Sequence, residues 1–409
     1  MPGYGHSYWA DRTGTRRRKT YPRLRGQQTA DVVIIGGGLT GCTAAYVLAA
    51  GGLHVILVEA DRLASAATAG GLGAIVPQPD ASFRAIEQAA GLRLARTAWK
   101  ETRRSGLDFA AALRKLSIRT DLAPASLVIN ARTSDEAQPL RREQAARKAA
   151  GLDAPWLSAE AARAEIGTGS AGAIRLHDAF TFDPVRAALG LAGAASVKGA
   201  RVFEQSLVRR TRFTRKQADV MLDSGTIRTR GVVVATGAPG ALFRQLRRHV
   251  RELEGHAVVT EPLSAVMRRE TGRRQSVMTE AGAAPHWLRW LPDGRALFAG
   301  ALAPPVGPRL RDRTLVQRTA QLMYELSVLY PIISGLPARW GWPVPVVTGI
   351  DGLPWVGPHR NYPFHFFALG FGWHGDGLAW FAAKAALRHF TDVARREDGA
   401  FGFERILTS

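Results

Sequence analysis

The chain has 409 residues, of which 46% are hydrophobic and 22% are charged, and 55 Lys and Arg against 34 Asp and Glu give a formal net charge of +21. This length and apolar content fit two or three globular domains and exclude disordered, collagen-like and coiled-coil chains. The single cysteine, Cys42, excludes an intrachain disulfide framework, and no Cys/His cluster has zinc-ligand spacing. We therefore expect no metal and a reducing, cytoplasmic compartment.

Arginine supplies most of the positive charge, since lysine accounts for only seven of the 55 cations and the arginines are spread along the chain. We interpret this mainly as dispersed surface charge, with a functional field for nucleic acid, anionic membrane or an acidic substrate as the alternative. Residues 16–19 form the densest basic cluster. Polar, turn-forming residues 20–26 follow it where an export signal would need an apolar stretch, so no secretory signal is predicted.

Residues 32–58 contain no Asp, Glu, Lys or Arg and are long enough to cross a bilayer. Six glycines interrupt the segment, however, and β-branched runs at residues 32–35 and 55–58 flank an Ala- and Leu-rich stretch at residues 40–50. This pattern predicts two buried strands that flank a helix, without a membrane span.

A glycine fingerprint for a dinucleotide, Gly36-x-Gly38-x-x-Gly41, joins the first strand to the helix, and Glu59 ends the second strand. Gly36 permits the tight turn, Gly38 lets the backbone approach a pyrophosphate, and Gly41 lets helix and strand pack closely. The helix N-terminus offers N–H groups to the phosphates, and the carboxylate at position 59 would accept hydrogen bonds from ribose hydroxyls. The spacing predicts a dinucleotide site and leaves FAD and NAD both open.

Further buried strands are predicted near the middle and the C-terminal end of the chain, at residues 231–238 and 366–370. The second of these precedes a glycine-rich segment at residues 372–377 and an apolar helix at residues 378–390. A ligand that meets both glycine-rich helix starts must be long and carry anionic groups.

The order and spacing of these motifs resemble the D-amino acid oxidase and glycine oxidase superfamily of FAD-dependent amine oxidoreductases, over nearly the whole chain. Besides the fingerprint, the resemblance rests on a small-residue loop at residues 65–74 and on the segments at residues 235–238, 293–300 and 351–357. The opening Ser7-Tyr8-Trp9 is similar to the gamma-glutamylputrescine oxidase branch.

The resemblance implies an α+β fold, in which an α/β Rossmann-like FAD-binding domain carries an inserted antiparallel-sheet substrate domain. The FAD-binding domain would comprise residues 1–90, 151–253 and 339–409, and the substrate domain residues 91–150 and 254–338. FAD would be held noncovalently between the domains. The positions that match the family's cofactor contacts are Gly36, Gly38, Leu39, Thr40, Gly41, Glu59, Ala60, Arg62, Ala67, Thr68, Gly70, Gly71, Leu72, Val208, Ala235, Thr236, Gly237, Gly372, Gly375, Asp376, Gly377 and Leu378.

Departures from the family concern the substrate. Amino acid oxidases of the family hold the α-carboxylate with arginines in two regions, and here these regions contain Trp342 and Trp373. Tryptophan cannot supply a bidentate guanidinium clamp, although Arg339 could restore one from a shifted position. Aromatic rings suit an alkylammonium or arylalkyl amine. We therefore expect Trp373, His374, Trp342 and Arg339 at the substrate, with an orienting role for His374 as the alternative.

Asp376 stands where the family has a small or apolar residue, and it could cap the following helix or attract a substrate ammonium group. The expected reaction is oxidation of the C–N bond of a primary or secondary amine by hydride transfer to flavin N5, followed by imine hydrolysis, with oxygen or another electron acceptor. One alternative is an FAD-dependent dehydrogenase of a hydroxy acid or related small molecule. A second is a tRNA- or RNA-associated flavoprotein, although no nucleic-acid recognition motif is present.

Overall fold

The computed structural model describes residues 3–14, 18–282, 285–393 and 395–406, and these residues form two β-sheets with helices packed on them. In chain order the strands are β1 (Gly3–Tyr4), β2 (Gly26–Ile35), β3 (Val55–Val58), β4 (Ala74–Ile75), β5 (Ala123–Ala131), β6 (Trp156–Leu157), β7 (Gly172–Thr181), β8 (Arg201–Phe203), β9 (Val208–Phe213), β10 (Ala218–Leu222), β11 (Gly225–Gly237), β12 (Val250–Thr260), β13 (Ser276–Glu280), β14 (Trp287–Trp290), β15 (Ala296–Ala303), β16 (Ala338–Gly349), β17 (Trp355–His359) and β18 (Tyr362–Leu369).

The helices connect and cover these strands. They are α1 (Tyr8–Thr13), α2 (Leu39–Ala50), α3 (Ala67–Gly70), α4 (Phe83–Lys115), α5 (Ser134–Ala149), α6 (Ala159–Ile166), α7 (Pro184–Val197), α8 (Ala265–Glu270), α9 (Arg311–Leu329) and α10 (Leu378–Phe390). Short 3₁₀ segments lie at Arg244–His249, Pro308–Leu310, Pro331–Ile333, Gly375–Gly377, Arg396–Phe401 and Phe403–Ile406. Helix α4 is kinked at Gly91, whose φ is 82°.

The eight-stranded sheet contains the glycine fingerprint. Its strand order is β17-β18-β11-β2-β3-β8, and β9 and β10 form an antiparallel ribbon that extends from β11. Strands β18, β11, β2, β3 and β8 are parallel, as in a Rossmann-like half. Helix α2 packs against α7 and α10 as well as against the sheet, which explains why it has no polar face.

The ten-stranded sheet is mostly antiparallel and has the order β1-β16-β12-β15-β14-β13-β5-β7-β4, with β6 paired to β7. Strands β12 and β16 pair over most of their length, from Val250 opposite Gly349 to Thr260 opposite Ala338. Helix α9 packs on strands β12, β15 and β16. This sheet supplies β16 to the cavity described below.

The α+β fold class is therefore confirmed, with a Rossmann-like half and a largely antiparallel second sheet. The strand-helix-strand pattern predicted for residues 32–58 corresponds to β2, α2 and β3. The domain boundaries stay a prediction. Strands β7 and β16 fall within ranges that were predicted for the FAD-binding domain, yet both pair in the ten-stranded sheet.

No helix among the described residues is long and apolar enough to cross a membrane. The predicted basic cluster is described only in part, because Arg16 and Arg17 lie outside the described residues. Arg18 Nη2 lies 4.0 Å from Glu204 Oε1, and Lys19 Nζ lies 4.9 Å from the ring centroid of Tyr21.

Candidate functional site

A cavity of about 360 Å³ lies between the two sheets. The carboxyl ends of β2, β3 and β11, the N-terminus of α2, strand β16 and the loop before α10 form its walls. Its lining residues are Ile35, Gly36, Gly38, Leu39, Thr40, Val58, Glu59, Ala60, Arg62, Ala64, Ser65, Ala66, Ala67, Thr68, Gly71, Ser206, Leu207, Val208, Ala235, Thr236, Gly237, Leu242, Val344, Pro345, Val346, Val347, Phe371, Gly372, Trp373, Gly375 and Asp376.

The fingerprint turn needs glycine at two positions for different reasons. Gly36 has a φ of 108°, which side chains other than hydrogen rarely adopt. Gly41 has helical geometry, but a Cβ there would collide with the carbonyl oxygen of Gly36. The turn therefore packs directly on the first turn of α2 and brings the helix N-terminus to the cavity, as the fingerprint predicts.

The N-terminus of α2 is supported by the small-residue loop. The backbone N–H of Leu39 donates to Thr68 Oγ1 at 2.9 Å, and the N-cap residue Gly38 supplies no side-chain cap. Gly38, Leu39 and Thr40 all line the cavity. Helix N–H groups and the positive end of the helix dipole thus meet the cavity where a pyrophosphate would bind.

Glu59 follows β3 and is half-buried beside the turn. Its Oε2 accepts a hydrogen bond from the N–H of Gly37 at 2.6 Å, and its Oε1 accepts one from the N–H of Asp61 at 2.9 Å. Each carboxylate oxygen has further acceptor capacity. The carboxylate can therefore hold the turn and accept hydrogen bonds from ribose hydroxyls at the same time.

Two tryptophans fix the loop that passes under the cavity. The indole N–H of Trp9, in α1, donates to the carbonyl of Gly71 at 2.8 Å. The indole N–H of Trp342, in β16, donates to the carbonyl of Gly70 at 3.2 Å. Both rings are buried. The N-terminal aromatic pair noted in the sequence thus includes a direct support of the cavity floor.

A buried guanidinium completes this support. Arg289 Nη1 donates to the carbonyl oxygens of Leu72, Gly73 and Phe182, and its guanidinium carbon lies 5.2 Å from the ring centroid of Trp9. Burial lowers the pKa of Arg289 to about 10, which leaves the side chain charged at neutral pH.

Asp80 orders the glycine-rich loop before α10. Its Oδ2 accepts a hydrogen bond from the N–H of Trp373 at 2.8 Å, and its Oδ1 lies 3.1 Å from His374 Nε2. Gly372 has a φ of 75°, and a Cβ there would collide with the Asp80 carboxylate. His374 is buried behind the loop, with its ring centroid 4.4 Å from that of Trp287.

Asp376 lines the cavity from the 3₁₀ turn that precedes α10. Burial raises its pKa to about 7, against a lowering influence of the Arg289 charge and together with a raising influence of Asp80. Helix α10 begins without a side-chain cap hydrogen bond. The described residues show no hydrogen bond between the Asp376 side chain and an N–H group of α10, so the structure gives no support to the capping alternative.

Most of the predicted cofactor positions line this one cavity. The ones that do not line it are Gly41, Gly70, Leu72, Gly377 and Leu378. Of the residues predicted at the substrate, Trp373 lines the cavity, whereas His374 and Trp342 lie behind its walls. Arg339 also lies outside it, with its Nε 3.9 Å from Glu261 Oε1.

Sequence reasoning missed the wall that β16 supplies, formed by Val344, Pro345, Val346 and Val347, and it missed Asp80. An apolar stretch directly after Trp342 was the available signal for β16. Asp80 gave no local signal, because its partner lies 293 residues away in the chain.

The cavity fits a dinucleotide with a second ring system. One end has a helix N-terminus and a carboxylate for a ribose, and the other end has a second glycine-rich helix start beside β16. A family model described as FAD dependent oxidoreductase (DAO) matches residues 31–388. The chain belongs to this family. FAD is accordingly its cofactor, and the enzyme is an FAD-dependent oxidoreductase.

Similarity to individual members of the DAO family extends over most of the chain. The gamma-glutamylputrescine oxidoreductase of Escherichia coli (strain K12) is 23% identical over 401 residues, which cover 97% of this chain and 92% of that protein. The glycine oxidase of Geobacillus kaustophilus has the same fold, with a TM-score of 0.75, 21% identity and coverage of 92% and 98% of the two chains.

The fold is also shared with a protein that was solved with FAD bound. The L-alpha-glycerophosphate oxidase of Mycoplasma pneumoniae, solved with FAD bound, has a TM-score of 0.70 and 17% identity, with coverage of 89% of this chain and 95% of that one. These similarities show the fold, and they leave the substrate to be argued from the cavity.

Proposed function

We propose that this enzyme oxidises the C–N bond of a primary or secondary amine. The observation that supports this most directly is the charge of the cavity end formed by residues 371–376 and β16. Among the described residues that line this end, none is Arg or Lys, and the ionisable one is Asp376. An amine or its ammonium form suits such a cavity better than an anion does.

The N-terminus of α2 and the Glu59 carboxylate would hold FAD, and the bound cofactor would supply a hydride acceptor for the carbon next to the amine nitrogen, so that the oxidised substrate would hydrolyse in water. The chain's own residues orient the amine and shape the cavity. Val344 and Val346 supply an apolar wall, and Trp373 supplies an aromatic one. We propose an orienting role for His374, because it is buried behind the loop at ion-pair distance from Asp80.

The similarity to gamma-glutamylputrescine oxidoreductase supports the proposal, since that protein is named for a primary amine and matches 97% of the chain. A hydroxy acid or a phosphate ester would need a cation to bind its anionic group. The described lining provides Arg62 alone, and Arg62 is at the fingerprint end, where its Nη1 lies 3.0 Å from Glu204.

Anaerobic mixing with a panel of amines tests the proposal. We expect at least one primary or secondary amine to bleach the flavin absorption, and we expect turnover with an electron acceptor to release ammonia or an alkylamine in equal amount to the carbonyl product. Bleaching by a 2-hydroxy acid or a glycerol phosphate, without any response to amines, would refute the proposal.

A further inference from the structure

The cavity end formed by residues 371–376 and β16, called the inner end from here on, presents an acidic side chain to a ligand and no basic one. Among the described lining residues of the whole cavity, the ionisable ones are Glu59, Arg62 and Asp376. Glu59 is bound by two backbone N–H groups, and Arg62 is paired with Glu204, so both belong to the fingerprint end. The ring system of FAD would share the end at residues 371–376 with the substrate, and the charged side chain that the lining offers to the substrate there is Asp376.

The Asp376 carboxyl is available to a ligand. In the described part of the chain the Asp376 carboxyl makes no side-chain hydrogen bond. Its two oxygens are also not among the buried side-chain atoms that have no hydrogen-bond partner. Its oxygens are therefore accessible from the cavity that Asp376 lines. A carboxyl group in this position lacks the compensation that buried acids normally have, and a cation would supply it.

Arg289 and Asp80 are the charged groups that act on Asp376, and both have other partners, although Arg289 Nε has none among the described residues. Arg289 donates from Nη1 to three backbone carbonyls of the loop and of β7's end, and it lies behind the cavity floor. Asp80 accepts the N–H of Trp373 and lies 3.1 Å from His374. The charge of Arg289 thus favours the ionised form of Asp376 without a hydrogen bond to it. The negative charge of Asp80 has the opposite effect and favours the protonated form.

The ring of Trp373 is held in place at the same end of the cavity as Asp376. Its backbone is held by Asp80, and the edge of its six-membered ring lies against Gly255 of β12, where a Cβ would collide with the ring. The indole N–H is buried without a hydrogen-bond partner in the described residues. An aromatic side chain and a carboxyl group that line the same end of a cavity can together bind an organic cation.

We propose that Asp376 and Trp373 form a subsite for the ammonium group of the substrate, and that the substrate has no carboxylate on the carbon that is oxidised. This inference rests on the proposed amine oxidation and specifies its substrate class. An α-carboxylate would lie close to Asp376 and meet no guanidinium in the cavity lining, since neither Arg289 nor Arg339 lines the cavity. A side chain remote from the reacting carbon is not restricted in this way.

A ligand that cannot be oxidised separates recognition from turnover. We would titrate the holoenzyme with benzyltrimethylammonium, whose nitrogen has no lone pair, and with benzoate, and follow the flavin absorption spectrum. We expect benzyltrimethylammonium to bind at least tenfold more tightly than benzoate. Asp376→Asn should weaken the binding of the cation at least tenfold, which corresponds to about 1.4 kcal/mol. Asp392→Asn removes the same charge from an exposed turn and should leave it unchanged.

Trp373→Leu is an independent test of the subsite, because leucine keeps apolar volume and removes the aromatic face. We expect this variant to bind benzyltrimethylammonium at least threefold more weakly. If Asp376→Asn does not retain FAD, the Trp373→Leu titration alone tests the subsite. Tighter binding of benzoate than of the cation in the unmodified enzyme would overturn the subsite. Unchanged binding of the cation in both variants would overturn it as well.

The two proposals fail in different ways. If no amine bleaches the flavin while binding of benzyltrimethylammonium depends on Asp376, the cation subsite stands and amine oxidation is refuted. If amines bleach the flavin but α-amino acids react as well as the corresponding decarboxylated amines, amine oxidation stands and the inferred substrate class is refuted.

Discussion

Glu59→Gln tests the cofactor site directly, because the Glu59 carboxylate has two roles whose loss can be measured separately. It accepts hydrogen bonds from the N–H groups of Gly37 and Asp61, and it is placed to accept bonds from a ribose. A glutamine keeps the length of the side chain but has one acceptor oxygen instead of two. One of the two backbone bonds is then lost in the protein without cofactor.

The magnitude follows from the two bonds. A hydrogen bond to a charged group contributes about 1.5–3 kcal/mol net, and half-burial of Glu59 puts the value near the lower limit. We therefore expect the apoprotein to lose about 1.5 kcal/mol of unfolding free energy. A lost ribose bond of the same kind should weaken FAD binding about tenfold or more, and this loss appears only when FAD is present.

The assay measures the two effects separately. Denaturant unfolding of the apoprotein reports the turn, and quenching of FAD fluorescence on titration with apoprotein reports the dissociation constant. Glu270→Gln, at the exposed end of α8, is the matched control and should change neither. If the dissociation constant of FAD stays within about twofold while the apoprotein is destabilised, Glu59 serves the turn alone and the ribose contact is refuted.

Three further changes test the floor and the inner end of the cavity. Trp342→Phe removes the hydrogen bond to Gly70 and should cost about 1 kcal/mol of stability together with severalfold faster FAD release, measured by thermal unfolding and dialysis; a change in neither contradicts the support role. Gly255→Ala should displace the ring of Trp373 and weaken binding of benzyltrimethylammonium severalfold, whereas an unchanged titration would show that the ring position is unimportant. The pKa of Asp376 is about 7, so its negative charge is lost as pH falls below 7, and the dissociation constant of benzyltrimethylammonium should then rise by up to about tenfold per pH unit. Asp376→Asn should abolish this pH dependence. A pH-independent dissociation constant in the unmodified enzyme would contradict the role of Asp376.

The fingerprint half of the molecule could be predicted from the sequence because its determinants are local. The turn at Gly36, the helix that follows it and the carboxylate of Glu59 lie within 24 residues, and each type of residue has one physical reason to be there. The structure brings these residues to one cavity. Local determinants of this kind need no knowledge of the tertiary fold.

The inner end of the cavity could be predicted only in part. Glycines around Trp342 and Trp373 suggested that both rings reach the substrate, but tertiary packing decides where along a strand a cavity begins, and the sequence does not specify it. Trp342 lies on the same face of β16 as Val344 and Val346, yet its ring packs on the loop under the cavity, where it donates to Gly70, and of these three only the two valines line the cavity. Trp373 reaches the cavity because Asp80, from a distant segment, orders its loop.

The net charge of the chain and the charge at the inner end of the cavity favour substrates of opposite charge. A net charge of +21 repels a cationic amine at long range, but exposed charges are screened beyond about 8 Å at physiological ionic strength. Asp376 acts inside a cavity walled by Val344, Val346 and Trp373, where screening is weak and a carboxylate attracts a cation strongly. If the proposed subsite is correct, selection of the substrate depends on Asp376, and the arginines spread along the chain do not determine it.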